Sequence, residues 1–151
     1  AAVELARFEW AFVEAFDAPD RAAIDASRMS VIAAADWPAL TFDAHPSVQA
    51  IDTRFNTLRV WDAVKAGASP PRVAELPGQG ALVWRRELTT VFRSVAADEL
   101  AAWRLLAQRA DFAALCSALT EWLQPADVPV RAATLLHTWL ADGLISDLRA
   151  P

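Results

Sequence analysis

Hydrophobic and polar residues in the last third of the chain follow two patterns in succession, which predict a hairpin and then helices. Two runs of branched and aromatic residues, 81–84 and 89–92, are separated by the charged residues 85–87. Such runs suit half-buried strands, and a polar break suits a hairpin loop. Over residues 98–145 the apolar positions recur every three or four residues, which is the helical spacing. We therefore predict two short strands within 80–94, followed by three short amphipathic helices.

The first half of the chain is predicted to contain helices and short strands. Bulky apolar residues at three- and four-residue spacing predict an amphipathic helix over residues 3–16. Alternating apolar and polar residues predict strands over 40–44 and 47–51, on either side of a turn at His45 and Pro46. Shorter helices are predicted over 21–27, 30–35 and 56–66.

A proline-rich stretch, residues 68–79, is predicted to divide the chain into two portions. It holds three prolines together with Gly78 and is typical of an irregular connector. Residues 1–67 then form an N-terminal helical and short-strand portion, and residues 80–151 form a winged-helix-like module. The expected fold class is α+β and mostly helical. Helix caps are predicted at Asp98, Asp111, Asp127 and Gly143, with a last strand near 144–146.

Composition indicates a folded, acidic protein of one domain, or of one domain with an appendage. The 151 residues are 55% hydrophobic and 22% charged, with 7 Trp and 7 Phe, which is enough to fill a packed core. A single cysteine excludes an internal disulfide framework and suits a reducing compartment. The chain has neither a signal-peptide pattern nor an apolar run of about 18 residues, so we expect a cytoplasmic protein.

Few residues of the chain are suited to catalysis. Cys116 lies within the apolar stripe of its helix, which predicts a buried and inert thiol. His137 is expected at the surface near the end of a helix, and His45 in a turn. These residues match no zinc-binding spacing, and 4 glycines cannot build a phosphate loop. We therefore expect no catalytic residue, no metal site and no cofactor.

Two ligand classes remain for a hairpin followed by three helices, namely DNA and an extended peptide. The last helix would read DNA, but it offers only Arg131 and His137, and the net charge of −5 opposes phosphate binding. A hairpin strand at a sheet edge can instead take up an extended peptide as a further strand. Peptide binding is the preferred interpretation, and winged-helix DNA binding by a transcriptional regulator is the alternative. A third reading is that the N-terminal half of the chain covers this edge.

Several short motifs along the chain point, as an ordered set, to one family. They are Leu5-Ala6-Arg7-Phe8-Glu9-Trp10-Ala11 with Glu14-Ala15-Phe16, Trp37-Pro38, His45-Pro46-Ser47, Arg59-Val60-Trp61-Asp62-Ala63, Leu82-Val83-Trp84-Arg85-Arg86, Phe92-Arg93 and Trp139-Leu140-Ala141-Asp142-Gly143-Leu144-Ile145. Together they resemble the HvfC/BufC family of bacterial proteins, which was formerly labelled a DNA-binding domain family. Members usually carry a further helical region ahead of the first motif, so this chain is expected to be a fragment or a reduced variant.

The resemblance implies a non-catalytic partner protein in the biosynthesis of ribosomally made, modified peptides. Family members accompany multinuclear non-haem iron oxidative enzymes, and their C-terminal region resembles an element that accepts a precursor peptide as an added strand. The iron chemistry would then belong to the partner enzyme. Expected peptide contacts are Thr89, Thr90, Val91, Phe92, Arg93, Leu136 and His137, with Arg93 pairing an acidic peptide residue. Expected enzyme contacts are His45, Pro46, Arg54 and Trp61, with core packing as the competing role for Trp61.

Overall fold

A computed structural model describes residues 1–151 and shows an α+β protein with two antiparallel sheets. Helices and strands alternate irregularly along the chain, and three helices follow the hairpin in the order that the sequence predicts. The elements are α1 (Ala2–Asp17), β1 (Thr41–Ala44), β2 (Gln49–Phe55), α2 (Thr57–Lys65), β3 (Glu75–Arg86), β4 (Thr89–Ala96), α3 (Ala97–Ala107), α4 (Phe112–Leu119), α5 (Val128–Ala141) and β5 (Ile145–Arg149), with short 3-10 helices at Ala26–Met29 and Ala34–Ala39.

The central strand of the larger sheet is β3, which pairs with β2 on one side and with β4 on the other. Its continuous apolar run is buried on both faces, as a run without polar alternation requires. Leu82 and Trp84 belong to a core shared with α3, α4 and α5. Ala81 and Val83 belong to a smaller core shared with α1 and α2. The sheet is therefore a middle layer between two sets of helices.

Two glycines have structural roles here: Gly80 allows β2 and α3 to pack closely against β3, and Gly143 ends α5. A Cβ atom on Gly80 would lie 2.5 Å from the carbonyl oxygen of Ile51 and 2.7 Å from Cδ2 of Leu100, so a larger residue would push β2 and α3 away. Gly143 ends α5 with a φ of +73°, which confirms the left-handed C-cap that the sequence predicts.

The smaller sheet joins β1, in the first third of the chain, to β5 near residue 150. β1 pairs with β5, and the N–H of His45 donates to the carbonyl oxygen of Leu144 at 2.7 Å. Both sheets therefore join strands from the two sides of residues 68–79. Glu75 already begins β3, so the predicted connector is irregular only in its first half.

Two of the predicted helices are wrong. Residues 21–25 form no helix, and the main-chain N–H of Ile24 instead donates to the carbonyl oxygen of Ile145. The predicted helix over 30–35 is replaced by the 3-10 helix Ala34–Ala39, which includes Pro38. In both segments contacts with distant parts of the chain outweigh the local preference of alanine-rich sequence.

The predicted helix caps have different outcomes. Asp111 caps α4 by accepting the N–H of Ala114 at 2.8 Å, as expected. Asp127 occupies the N-cap position of α5 but makes no capping hydrogen bond. Asp98 lies inside α3, and its carboxylate binds the guanidinium of Arg131 at 2.7 and 3.2 Å. No helix is both long enough and apolar enough to cross a lipid bilayer.

Candidate functional site

The strand β4 lies at one edge of the three-stranded sheet. It follows β3 through the two-residue loop Glu87-Leu88, and Arg86 lies opposite Thr89. Glu87 has a φ of +56°, the left-handed value that a type II′ hairpin loop requires at its first residue. A two-residue loop closes on a hydrogen-bonded pair, after which bonded and non-bonded pairs alternate. The main-chain groups of β4 therefore point away from β3 at every second residue.

The main-chain groups that point away from β3 belong to Thr90, Phe92 and Ser94. No other strand pairs with this edge, and none of the hydrogen bonds outside the helices and strands uses a main-chain group of β4. The N-terminal half packs against the face of the sheet through α1 and α2 and does not pair with the edge. Ser94 is exposed, and Thr90 and Phe92 are half-buried. An unpaired edge of this kind is a template for a further strand.

On the opposite edge of the same sheet, the end of β2 is capped by a carboxylate at Arg54 and Phe55. Glu4 of α1 accepts the N–H of Arg54 at 3.0 Å, the N–H of Phe55 at 3.3 Å and the hydroxyl of Thr57 at 2.7 Å. Burial opposes the charge of Glu4, but the hydrogen bonds from Thr57 and from the two N–H groups hold its pKa below the ordinary 4.5. A charged side chain across the edge is one way in which sheets avoid pairing with other chains. Of the two outer strands, β4 is the one without such a cap.

Side chains of β4 alternate between two faces of the sheet. On the first face, the ring centroid of Phe92 lies 5.0 Å from that of Phe8 and 5.3 Å from that of Trp61. The hydroxyl of Thr90 donates to the carbonyl oxygen of Phe12 at 3.5 Å. This face of β4 is therefore held against α1 and α2.

A pocket of about 450 Å³, here called the edge pocket, lies on that face and is lined by Glu9, Phe12, Trp61, Lys65 and Thr90. The rings of Phe12 and Trp61 stack with their centroids 5.3 Å apart and their planes 21° apart. Lys65 Nζ lies 5.5 Å from the centroid of the Trp61 ring. Neither Glu9 nor Lys65 takes part in any ion pair of the structure. The pocket thus combines aromatic surface with two unpaired charges of opposite sign.

On the second face of β4, Arg93 is bound by carboxylates of the chain itself. Its guanidinium donates to Glu99 at 2.6 Å and to Asp142 at 2.9 Å, which links β4 to α3 and to the end of α5. Burial disfavours the charge of Arg93, but the two carboxylates raise its pKa above the usual value. An acidic peptide residue, which the sequence predicted as the partner of Arg93, would have to compete with both carboxylates.

Leu136 and His137, which were expected to contact the same peptide, lie elsewhere. Both line an apolar cavity of about 630 Å³ between α4, α5 and the 3-10 helices, and no residue of β4 lines it. The structure therefore does not bring these two residues together with the strand. Cys116 also lines this cavity and is half-buried, where burial raises the pKa of its thiol above the ordinary 9.0. A raised pKa keeps the thiol protonated at neutral pH, in line with the inert role predicted for it.

His45, one of the expected enzyme contacts, is buried. Its Nε2 lies 2.8 Å from the carbonyl oxygen of Arg21, and its Nδ1 lies 2.9 Å from the hydroxyl oxygen of Ser47. A carbonyl oxygen only accepts, so Nε2 carries the proton and Nδ1 is the acceptor. His45 therefore fixes the loop that precedes the first 3-10 helix, and its ring nitrogens are both in use.

The other expected enzyme contacts are spread over the N-terminal portion. Pro46 is half-buried beside His45, and Arg54 is exposed and pairs with Glu75 at 2.9 Å. Trp61 packs among the aromatic rings of the smaller core, which confirms the competing packing role considered for it. Because it also lines the edge pocket, Trp61 lies beside the strand predicted to bind a peptide.

The arginines that could form a DNA-binding patch are occupied by carboxylates. Of those in the hairpin and the last three helices, Arg86 alone forms no ion pair. The pairs are Arg85–Asp20, Arg93–Glu99, Arg93–Asp142, Arg104–Asp52, Arg109–Asp43 and Arg131–Asp98. Each of these positive charges would have to leave an existing partner to contact a phosphate.

Three residues of the edge pocket were not identified from the sequence. Phe12 was expected only as part of the apolar stripe of α1, and Glu9 and Lys65 were not assigned to any site. They meet Thr90 only because α1 and α2 fold onto the sheet, and no local spacing signals that contact.

No group of three or more His, Cys, Asp or Glu side chains lies close enough together to bind a metal ion. No protein-family model, curated protein or solved structure matches the chain. The candidate site is therefore defined by its geometry, namely the open edge of β4 and the adjoining edge pocket.

Proposed function

We propose that this chain is a non-catalytic, peptide-binding partner protein, which accepts an extended peptide as a fourth strand along β4. The observation that carries the proposal is the unpaired edge of β4. The outward main-chain groups of Thr90, Phe92 and Ser94 have no partner, whereas the end of β2 at Arg54 and Phe55 is capped by Glu4. An added strand would satisfy these groups through main-chain hydrogen bonds, so affinity would not depend on a basic surface.

The order of elements supports a recognition role for this region. A hairpin followed by three helices agrees with the precursor-recognition element that the C-terminal region resembles. The resemblance implies that the peptide is a ribosomally made precursor and that the partner is a multinuclear non-haem iron oxidative enzyme. The chain would hold the precursor while the enzyme supplies the oxidative chemistry.

A binding test must remove an outward N–H without unfolding the hairpin. Val91, one of the peptide contacts expected from the sequence, lies opposite Trp84 in a pair whose main-chain groups face β3, so Val91→Pro would break the hairpin itself. Ser94 is exposed and its N–H points outwards, so Ser94→Pro removes a donor at the open edge only. Ser94→Ala, which keeps the N–H, is the matched control.

Affinity capture from source-cell lysate with these three baits tests the proposal. We expect the wild-type chain and Ser94→Ala to retain a short precursor peptide and an iron-containing oxidative enzyme, both identified by mass spectrometry. Ser94→Pro should lose the peptide, with an affinity lower by about tenfold or more. Equal retention of the peptide by a folded Ser94→Pro bait would refute strand addition at β4.

Salt dependence separates this proposal from DNA binding. The affinity for a peptide bound by strand addition should weaken only mildly between roughly 50 and 200 mM salt, whereas the affinity for DNA phosphates falls steeply over the same range. Capture of only nuclease-sensitive material, with a steep salt dependence, would favour the DNA-binding alternative.

A further inference from the structure

The edge pocket lies where alternate side chains of an added strand would fall. Thr90 is both a residue of the open edge and part of the pocket lining, and Phe92 packs against the same aromatic rings. Side chains of neighbouring strands on one face lie side by side, about 5 Å apart. A peptide strand paired with β4 would therefore place every second side chain on the face that contains the pocket.

The lining of the edge pocket suits an aromatic side chain. Phe12 and Trp61 present stacked rings that are only half-buried, although each contacts Phe8 from the smaller core. A further ring placed on them gains both buried apolar area and edge or stacking contact. The volume of about 450 Å³ is sufficient for the largest side chain with room at its sides.

The two unpaired charges flank this aromatic surface. Glu9 lies one helical turn before Phe12 on α1, and Lys65 lies one turn after Trp61 on α2. They line the same pocket, and neither forms an ion pair with the other or with any other residue, although Lys65 lies over the ring of Trp61. Residues two apart on a strand share a face and are about 7 Å apart, so the neighbours of an anchored ring on that face can reach these charges.

We propose that the edge pocket is a specificity subsite for one aromatic peptide side chain, flanked two residues away on one side by an acidic residue and on the other by a basic residue. The acidic residue pairs with Lys65 and the basic residue pairs with Glu9. This inference rests on the proposed strand addition at β4 and adds to it the class of peptide that is accepted.

Selection from a phage-displayed library of random dodecapeptides tests the subsite. We expect the selected peptides to share an aromatic residue with opposite charges two positions before and after it. Replacing that aromatic residue by Ala in a synthetic peptide should weaken binding by about tenfold or more. The charge order in the selected peptides also gives the direction of the bound strand.

Charge-reversed variants separate the subsite from general strand addition. Lys65→Glu and Glu9→Lys should each lower the affinity for the selected peptides by about fivefold. The double variant should restore binding to peptides in which the two charges are exchanged. Arg59→Glu, an exposed change on α2 outside the pocket, is the matched control and should leave the preference unaltered.

Each remaining outcome is informative. Suppose that the selected peptides fail to bind Ser94→Pro but share no aromatic residue, or bind Lys65→Glu and Glu9→Lys as well as the wild type. Either result would overturn the subsite and leave strand addition standing. Selected peptides that bind Ser94→Pro as well as the wild type would overturn strand addition itself. Failure to select any peptide would overturn both.

Discussion

Removing the carboxylate of Glu99 should destabilise the C-terminal portion strongly, because that group joins three elements. Glu99 lies on α3 and is only 6% exposed. Its Oε1 accepts the guanidinium of Arg93 on β4 at 2.6 Å and the indole N–H of Trp139 on α5 at 3.0 Å. Trp139 itself is fully buried. The chosen perturbation is Glu99→Ala, with Glu99→Gln as its matched control.

The expected cost follows from the two donors that lose their acceptor. The buried N–H of Trp139 would be left without a partner, at about 1–3 kcal/mol. The Arg93 side chain is 26% exposed and keeps its ion pair with Asp142. Breaking its pair with Glu99 should therefore cost about 1–2 kcal/mol, which is less than the roughly 3–5 kcal/mol typical of a broken buried pair. We expect Glu99→Ala to cost about 3 kcal/mol, which lowers the melting temperature by about 6–12 °C for a chain of this size.

Urea unfolding followed by tryptophan fluorescence measures this cost directly. Glu99→Gln keeps an acceptor for Trp139 and removes only the charge, so it should cost about 1 kcal/mol. The dependence of the free energy on urea should be unchanged in both variants, since the native fold is retained. A loss below about 1 kcal/mol for Glu99→Ala, or equal losses for the two variants, would refute the assignment of a shared acceptor.

Three further changes test other contacts. Burial opposes the charge of Asp98, but its hydrogen bonds with Arg131 lower its pKa below the ordinary 3.8. The stability that this carboxylate provides is therefore present above pH 3.8 and is lost as the pH falls through the lower pKa of the folded state. Asp98→Asn should remove this dependence, so that urea midpoints measured from pH 7 down to about 2 fall less steeply at acid pH than those of the wild type. Trp139→Phe should cost at least about 1 kcal/mol more than Trp84→Phe in urea unfolding, because the buried indole N–H of Trp84 has no partner to lose. Gly80→Ala should cost about 3 kcal/mol by the same measurement, since its Cβ would meet the main chain of β2, and a neutral effect would contradict that close approach.

Local patterns predicted those elements whose contacts are themselves local. The hairpin, the three helices after it and the first helix were all indicated by apolar spacing, and their bounds agree with the structure to within a few residues. The strand β3 is longer than predicted, because Glu75 and the residues after it pair with β2 across a proline and two glycines. The helix predicted over 21–27 fails because Ile24 bonds to the distant Ile145.

The candidate site was predicted in part for the same reason. A hairpin strand at a sheet edge follows from the order of elements, but which residues face outwards depends on the loop that closes the hairpin. The engagement of Arg93 with Glu99 and Asp142 joins residues up to 49 positions apart, and no spacing in the sequence announces it. The edge pocket likewise needs α1 and α2 to fold onto the same face of the sheet.

The pairing of β1 with β5 has a consequence for how the protein is made. Asp43 on β1 bonds to Arg149 on β5, which lies 106 residues further along the chain. Ribosomes add about 5–20 residues per second, so β1 waits about 5–20 s for its partner to be synthesised. During that interval Leu40 and Phe42, fully or almost fully buried in the finished protein, have no C-terminal strand to cover them. Exposed apolar residues of this kind are prone to aggregation, so β1 is most at risk in the nascent chain before β5 emerges.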